Sequence, residues 1–398
     1  MACSRKLQLT IVSLLPLLLI FMYALHQRSP QWIRISPLPI FQFIHQTGPE
    51  SKVIHIVQML RGDSASLRAI TMLKSALYYQ GRCRTDRLEC CGNMSSSTGC
   101  QTNTTNGKQE VIPIHIHLIR DKSASVLVDA LFRSLRMKGF GYSLHDLDKY
   151  LHLVSGIPNR HRAGPTALCK VFMESILPTS VEKVIVVDSD TLFNYDIHDL
   201  WDHFERFNKL QLIALAWEQQ SRDPDCKHLI NGPIPPTGVN GGVVLMHLKR
   251  MRTKGWKEMR NTALSSILME RGKLSQGEQD VYNTLIRLYP HVYYRFPCEW
   301  NTQLYSSVAV SCCPTFWPDR LPNEKDCITR ISPGTPAQPN LLRLAHFDRD
   351  GKPEEGNRKT TFKEGSKERK FALSHAELID RFKEMYTRFR AVPLYCFT

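Results

Sequence analysis

Val184-Ile185-Val186-Val187 runs directly into Asp188-Ser189-Asp190. Four consecutive β-branched residues suit a strand buried on both faces, as the strands of a parallel sheet are. A buried strand of this kind excludes unpaired charge, so the two aspartates mark its end. In open α/β sheets, ligands bind beyond the carboxyl ends of the strands. Two carboxylates separated by one residue can turn there toward one hard cation, Mg²⁺ or Mn²⁺. Capping a turn or helix is the alternative use of such a pair.

The flanking sequence alternates strand and helix patterns. Strands are expected at Lys52–Met59, Val111–Leu118, Val181–Val187, Leu210–Ala216 and Gly241–Leu248. Helices are expected at Ser66–Tyr79, Val126–Met137, Ala167–Leu177 and Asp199–Phe207, the last with Leu200, Trp201, Phe204 and Phe207 on one face. This alternation predicts an α/β fold with a mostly parallel central sheet. Of the 398 residues, 42% are hydrophobic and 22% charged, which excludes a disordered, collagen-like or multi-span membrane chain. The net charge of +15 leaves room for an anionic partner or a solvated basic surface. There is no zinc-finger spacing, basic zipper or RNP-type aromatic motif, so no nucleic-acid partner is expected.

Leu9–Leu25 is apolar and uncharged, at the short end of what spans a bilayer. The following residues make a poor cleavage site, so an uncleaved signal anchor is expected over 9–25, after a short tail (1–8) and before a Pro-containing stem (26–51). Asn93 and Asn103 open glycosylation sequons. Cysteines gather in two groups, Cys83, Cys90, Cys91 and Cys100, then Cys298, Cys312, Cys313 and Cys327. Neither group has paired C-x-x-C spacing, so disulfides are expected over metal binding. The polar, Cys-rich 81–107 segment reads as an exposed insertion. Together these features describe a single-pass type II protein of the Golgi or ER membrane with its main domain in the lumen.

A second motif lies far from the first: His346-Phe347-Asp348-Arg349-Asp350-Gly351-Lys352-Pro353. One imidazole added to two carboxylates makes a plausible Mn²⁺ site. Lys352 could reach a phosphate held at the same place.

Val184–Asp190 resembles the D-x-D strand of glycosyltransferase family 8, and His346-x-x-Arg349-x-x-Lys352-Pro353 resembles its C-terminal H-x-x-G-x-x-K-P motif. Arg349 stands where Gly is usual and Glu354 where Trp is usual. Between them, Thr237–Val243 resembles G-x-N-[TS]-G-V with Gly241 replacing the hydroxyl residue. Gly277–Asp280 resembles G-D-Q-D with Glu278 replacing Asp, and Phe296–Asn301 resembles P-C-x-W-N. Ile157–Asn159 and Cys169-Lys170 resemble the stretch before the D-x-D strand. The details look like the eukaryotic xylosyl-transferring branch, which includes the glucoside xylosyltransferases and the xylosyltransferase domain of LARGE-type enzymes.

The resemblance implies a GT-A type, Rossmann-like nucleotide-sugar-binding domain over 52–353, with 354–398 as a basic, then helical extension. It implies a UDP-sugar donor, UDP-xylose first, a glycan or glycoprotein acceptor, and retention of anomeric configuration. The expected metal ligands are Asp188, Asp190 and His346, for Mn²⁺ or Mg²⁺. The expected donor-binding residues are Asp188, Ser189, Lys170, Glu218, Asn240, Gly241, Gln279, Lys352 and Arg349. Gln279 and Glu278 are the expected residues near the anomeric carbon. In the extension, Leu378, Phe382 and Tyr386 share a helical face, and Cys396 suggests a disulfide tether.

Overall fold

A computed structural model describes residues 52–84, 86–92, 111–135, 137–219, 238–305, 312–317, 340–348, 351–355 and 374–397. The expected anchor and stem, both sequons, Cys100, Cys327 and Arg349 lie outside the described residues. Among the described residues, no helix is long and apolar enough to cross a membrane.

The described residues from Lys52 onward form one compact unit. Its strands are β1 (Ile54–Leu60), β2 (Ile114–Arg120), β3 (Phe140–Asp146), β4 (Val184–Val187), β5 (Thr191–Phe193), β6 (Ile213–Leu215), β7 (Val243–Met246), β8 (Tyr293–Arg295), β9 (Thr302–Gln303), β10 (Thr315–Phe316), β11 (Asn340–Leu341) and β12 (Leu344–His346). The longer helices are α1 (Gly62–Tyr79), α2 (Lys122–Ser134), α3 (Trp256–Arg271), α4 (Glu278–Leu288) and α5 (His375–Ala391).

Seven strands form the main sheet, in the order β3-β2-β1-β4-β7-β6-β8. β3, β2, β1 and β4 run parallel, and β8 is parallel to β6. Only β7 is reversed, pairing antiparallel with both β4 and β6. The mostly parallel α/β reading is therefore correct. β4 is buried at every residue, as its apolar run requires. Apolar side chains pack on both sheet faces: Ile54, Ile56, Ile185 and Val187 in one cluster, Val57, Ile119, Val184 and Val186 in the other.

Several expectations need correction. The helix expected over Ala167–Leu177 is broken into helical turns at Gly164–Leu168, Cys169–Phe172 and Met173–Ile176. The stretch Thr166–Met173 is buried throughout, so tertiary packing overrides a single amphipathic helix. The helix expected over Asp199–Phe207 starts earlier, at Ile197 with Asp196 capping it, and tightens into a 3₁₀ turn from Asp202. The start of the 81–107 segment is only partly exposed: Asp86, Arg87, Leu88 and Glu89 are exposed as expected, whereas Arg82, Cys90 and Cys91 are buried. Cys91 is bonded to Cys83, and Cys90 to Cys396, so the C-terminus is tethered as expected. Cys298 is bonded to Cys313. In α5, Leu378, Phe382, Tyr386 and Phe389 are buried, with Tyr78 of α1 edge-on to Phe389. The helical end of the extension therefore packs on the domain.

Candidate active site

The acid pair occupies the turn that leaves the main sheet at β4 and enters a second, three-stranded sheet, β5-β12-β9. β12 runs antiparallel to β5, with His346 opposite Thr191. The Phe347 amide donates to the Asp190 carbonyl at 2.8 Å. This pairing explains how a histidine more than 150 positions away reaches the aspartates. One ligand atom from each of Asp188, Asp190 and His346 lies within 4.8 Å of the others. His346 Nε2 is 3.5 Å from Asp190 Oδ1 and 3.8 Å from Asp188 Oδ2.

The ring of His346 is held from two sides. Its Nδ1 pairs with Asn301 Oδ1 at 3.1 Å, which leaves Nε2 facing the carboxylates. On the other side lies Gly242: a Cβ there would fall 2.1 Å from His346 Cε1, so only glycine leaves room for the imidazole. Two oxygens and one nitrogen, oriented through an outer hydrogen bond, fit a divalent cation of the Mn²⁺ or Mg²⁺ kind.

Cationic groups surround the acid pair. Lys170 Nζ lies 2.6 Å from Asp188 Oδ1 and 2.8 Å from Glu278 Oε1. Burial opposes its charge, but the two carboxylates more than offset this and hold the ammonium above its usual range. Burial pushes the Asp188 carboxyl up. Asp190 goes the other way: burial is outweighed by the His346 hydrogen bond and the Lys352 ammonium, which hold it well below the carboxylate range. His346 rises to about 9, because the carboxylates of Asp348, Asp190 and Asp188 overcome its burial. Lys352 is hydrogen-bonded to Asp190.

A second group lines up beside this cluster. Asn240 Nδ2 and Gln279 Nε2 both donate to Glu218 Oε2 at 3.1 Å. The Gly241 amide donates to Gln279 Oε1 at 3.3 Å. Asn240 Oδ1 accepts from Asn301 Nδ2 at 2.9 Å, so Asn301 ties the polar group to His346. Ser189 is half-buried in the turn between the aspartates.

The structure thus gathers Asp188, Asp190, His346, Lys170, Lys352, Glu278, Glu218, Asn240, Gly241 and Gln279 into one hydrogen-bonded region. Glu278 turns toward Lys170 in the buried interior, while Gln279 carries the link to Glu218. Sequence reasoning missed three contributors. Asn301 and Gly242 lay inside quoted motifs, Phe296–Asn301 and Thr237–Val243, but neither was assigned a role. Asp348 stands two residues after His346; burial pushes its carboxyl up to about 6, and it accepts from the Leu304 amide at 3.0 Å.

Comparison with known proteins agrees with this geometry. The chain is 30% identical to xylosyl- and glucuronyltransferase LARGE2 of Mus musculus over 267 residues, 67% of this chain and 34% of that one. It is 28% identical to xylosyl- and glucuronyltransferase LARGE1 of Homo sapiens over 255 residues, 64% of this chain and 30% of that one. The chain therefore spans about a third of the length of these curated relatives. Among solved structures, mouse xyloside xylosyltransferase 1 in its apo form superposes with a TM-score of 0.50. The identity is 16%, with 75% of this chain and 98% of that chain covered, a likeness that speaks for the GT-A-like fold alone. Residues 87–323, more than half of the sequence, match the family described as Glycosyl transferase family 8, and the chain belongs to that family.

Proposed function

We propose that this glycosyltransferase moves xylose from UDP-xylose, in α linkage and with retention, onto a glycan acceptor such as O-linked glucose on an epidermal-growth-factor-like repeat. The observation that carries the reading is the convergence of Asp188, Asp190 and His346 at the junction of the two sheets, in a family 8 chain. The chemical difficulty is the departure of a diphosphate with several negative charges. A divalent cation, when bound, neutralises that charge and orients the leaving group. Asp188 and Asp190 supply hard oxygens for it, and His346 supplies Nε2 while Asn301 keeps the ring aimed. Lys352 releases Asp190 and meets a phosphate oxygen, adding positive charge where the leaving group develops its own.

Glu218 and Asn240 bind hydroxyls of the donor sugar. Gln279 sits by the anomeric carbon, and its amide is too weak a nucleophile for a covalent intermediate. Glu278 is committed to Lys170 in the buried interior. A front-face route through a short-lived oxocarbenium-like ion pair therefore fits these residues better, with the departing phosphate helping to deprotonate the acceptor. The disulfides Cys83–Cys91, Cys90–Cys396 and Cys298–Cys313 favour an oxidising compartment, consistent with a luminal enzyme.

A second reading has its own support. The likeness to relatives titled xylosyl- and glucuronyltransferase favours a single-activity transfer of xylose to a uronic-acid-ended glycan. The test is a panel of UDP-sugars against both acceptor types, with the product linkage read by NMR. UDP-xylose with the glucoside acceptor should give the largest turnover. Turnover only on the uronic-acid-ended acceptor transfers the assignment to the second reading. Absence of UDP release with every donor in the panel would make the chain a silent glycan-binding protein.

A further inference from the structure

Four histidines interrupt the apolar strands on one wing of the main sheet: His55 on β1, His115 and His117 on β2, and His145 on β3. His55 pairs across with His115, His117 with Val57, and His145 with Ile119, so all four share the face of Val57 and Ile119. His117 is 2% exposed and His115 7%, while His55 and His145 are half-buried. Burying four imidazoles side by side disfavours folding relative to aliphatic residues of similar size. The glycosyl-transfer site uses none of them.

We propose that this row is a second metal site, taking a borderline transition-metal ion of the zinc class. The donor set supports that choice. It offers imidazole nitrogens only, which suit Zn²⁺, Cu²⁺ or Ni²⁺ and not Mg²⁺ or Mn²⁺. A ligand must also be deprotonated. Burial, and then the neighbouring imidazoles, hold His55 and His115 down at about 4 and His117 at about 2, so their lone pairs are available at neutral pH.

The spacing supports it as well. His55 Nδ1 and His117 Nε2 are 3.1 Å apart, near the ~3.3 Å edge of a tetrahedron built on metal–nitrogen bonds of about 2.0–2.1 Å. The ring centroids of His55, His115 and His117 are 5.5, 5.3 and 4.7 Å apart, close to the roughly 5 Å expected for three imidazoles around one such ion. His117 Nδ1 lies 3.3 Å from His145 Nε2. With that hydrogen bond donated outward, Nε2 of His117 keeps its lone pair, the usual arrangement for a ligating histidine. His145 is then a positioning residue and His55 and His117 are the first ligands.

His115 completes the set. In this structure its Nε2 pairs with Ser143 Oγ at 2.8 Å, and a Cβ on Gly141 would fall 2.7 Å from its Nδ1. The three ligand atoms at the acid site already converge, whereas this site closes when the His115 ring turns from Ser143 toward β1. Half-buried His55 gives an ion a way in from solvent.

The test is zinc uptake by the full chain, measured by equilibrium dialysis in excess Mg²⁺, in an Asp188→Ala/Asp190→Ala background that removes the other site. We expect one zinc ion to remain, with affinity lowered at least tenfold by His55→Gln and by His117→Asn. Cobalt in its place should give the visible absorption of a four-coordinate nitrogen site, lost in the same variants. If His117→Asn fails to fold, the more exposed His55→Gln decides alone. Absence of zinc uptake in the double-alanine background, or uptake unchanged by His55→Gln, overturns the proposal.

Discussion

His346 and His117 are equally hidden, at 4% and 2% exposure, yet they stand at opposite ends of the protonation scale. His346 rises to about 9 and His117 falls to about 2. Burial opposes the charge of both rings. The difference is their company: three carboxylates around His346, three imidazoles around His117. A buried histidine therefore carries whichever charge its neighbours ask of it. One environment collects cations around an acid pair, which suits an anionic diphosphate bridged by a hard metal. The other keeps neutral nitrogen lone pairs, which suits a softer ion.

The most damaging change to the first environment is Asp190→Ala. It removes a proposed metal ligand and the partner of both His346 and Lys352. Transfer should fall by a hundred- to a thousand-fold or more, the range seen when a central electrostatic contact is lost, with the thermal midpoint little changed. Comparable turnover of mutant and wild type under manganese would remove the metal assignment. Gly242→Ala attacks the same histidine sterically. Its Cβ would fall 2.1 Å from His346 Cε1, far inside van der Waals contact, so the imidazole or the backbone must move. Overpacking of this kind costs about 1–3 kcal/mol. Calorimetry should show that loss, and turnover should drop at least tenfold; a variant active at wild-type level would mean that the ring position is not critical.

Asn301→Ala is gentler and more diagnostic. It leaves the proposed ligands in place but frees His346 Nδ1 and breaks the link to Asn240. Outer hydrogen bonds to metal-bound histidines are worth about 10–100-fold in metal affinity. Titration of activity with Mn²⁺ should show the curve moving to higher concentration, with turnover at saturation less affected. An unchanged curve would assign Asn301 to the polar group of Asn240 and Glu218 alone.

The parts of this comparison were unequally visible in the sequence. Val184–Asp190 declared itself because a fully buried parallel strand is written as an unbroken apolar run that a charge can only end. β3, with the sequence FGYSLHD, was missed because every residue of this edge strand is half-buried, which erases the alternation that marks a strand. β5, β9 and β12 are two or three residues long, too short to show any period. That small sheet delivers His346 to the aspartates, so motif spacing could nominate the three candidate ligands but not the path that unites them. The histidine row was equally opaque. His55, His115 and His117 stood in plain view within two strand-like runs, but their neighbourhood depends on the parallel register of β1, β2 and β3, and β3 had not been found.

The smallest expected effect separates the two environments by pH. In the unfolded chain a histidine titrates near 6.5, whereas His55 and His115 are held at about 4 and His117 at about 2 in the fold. Between pH 6.5 and 4 the unfolded state therefore binds more protons at these three groups, and their contribution to stability falls as the pH falls through that window, whereas raised His346 contributes with the opposite sign. The groups facing the row sharpen the effect. His145 is also lowered, by burial and then by Arg120, whose charge is partly neutralised by Asp129, and Ser143 offers no charge of its own. Thermal midpoints recorded in chelator from pH 7.5 to pH 5 should decline steadily. His55→Gln removes one group that would take up a proton only on unfolding, so the decline should flatten while the midpoint at pH 7.5 moves by a few degrees or less. A slope identical in the two proteins would show that His55 does not lie in the protonation-averse company that sets His117 apart from His346.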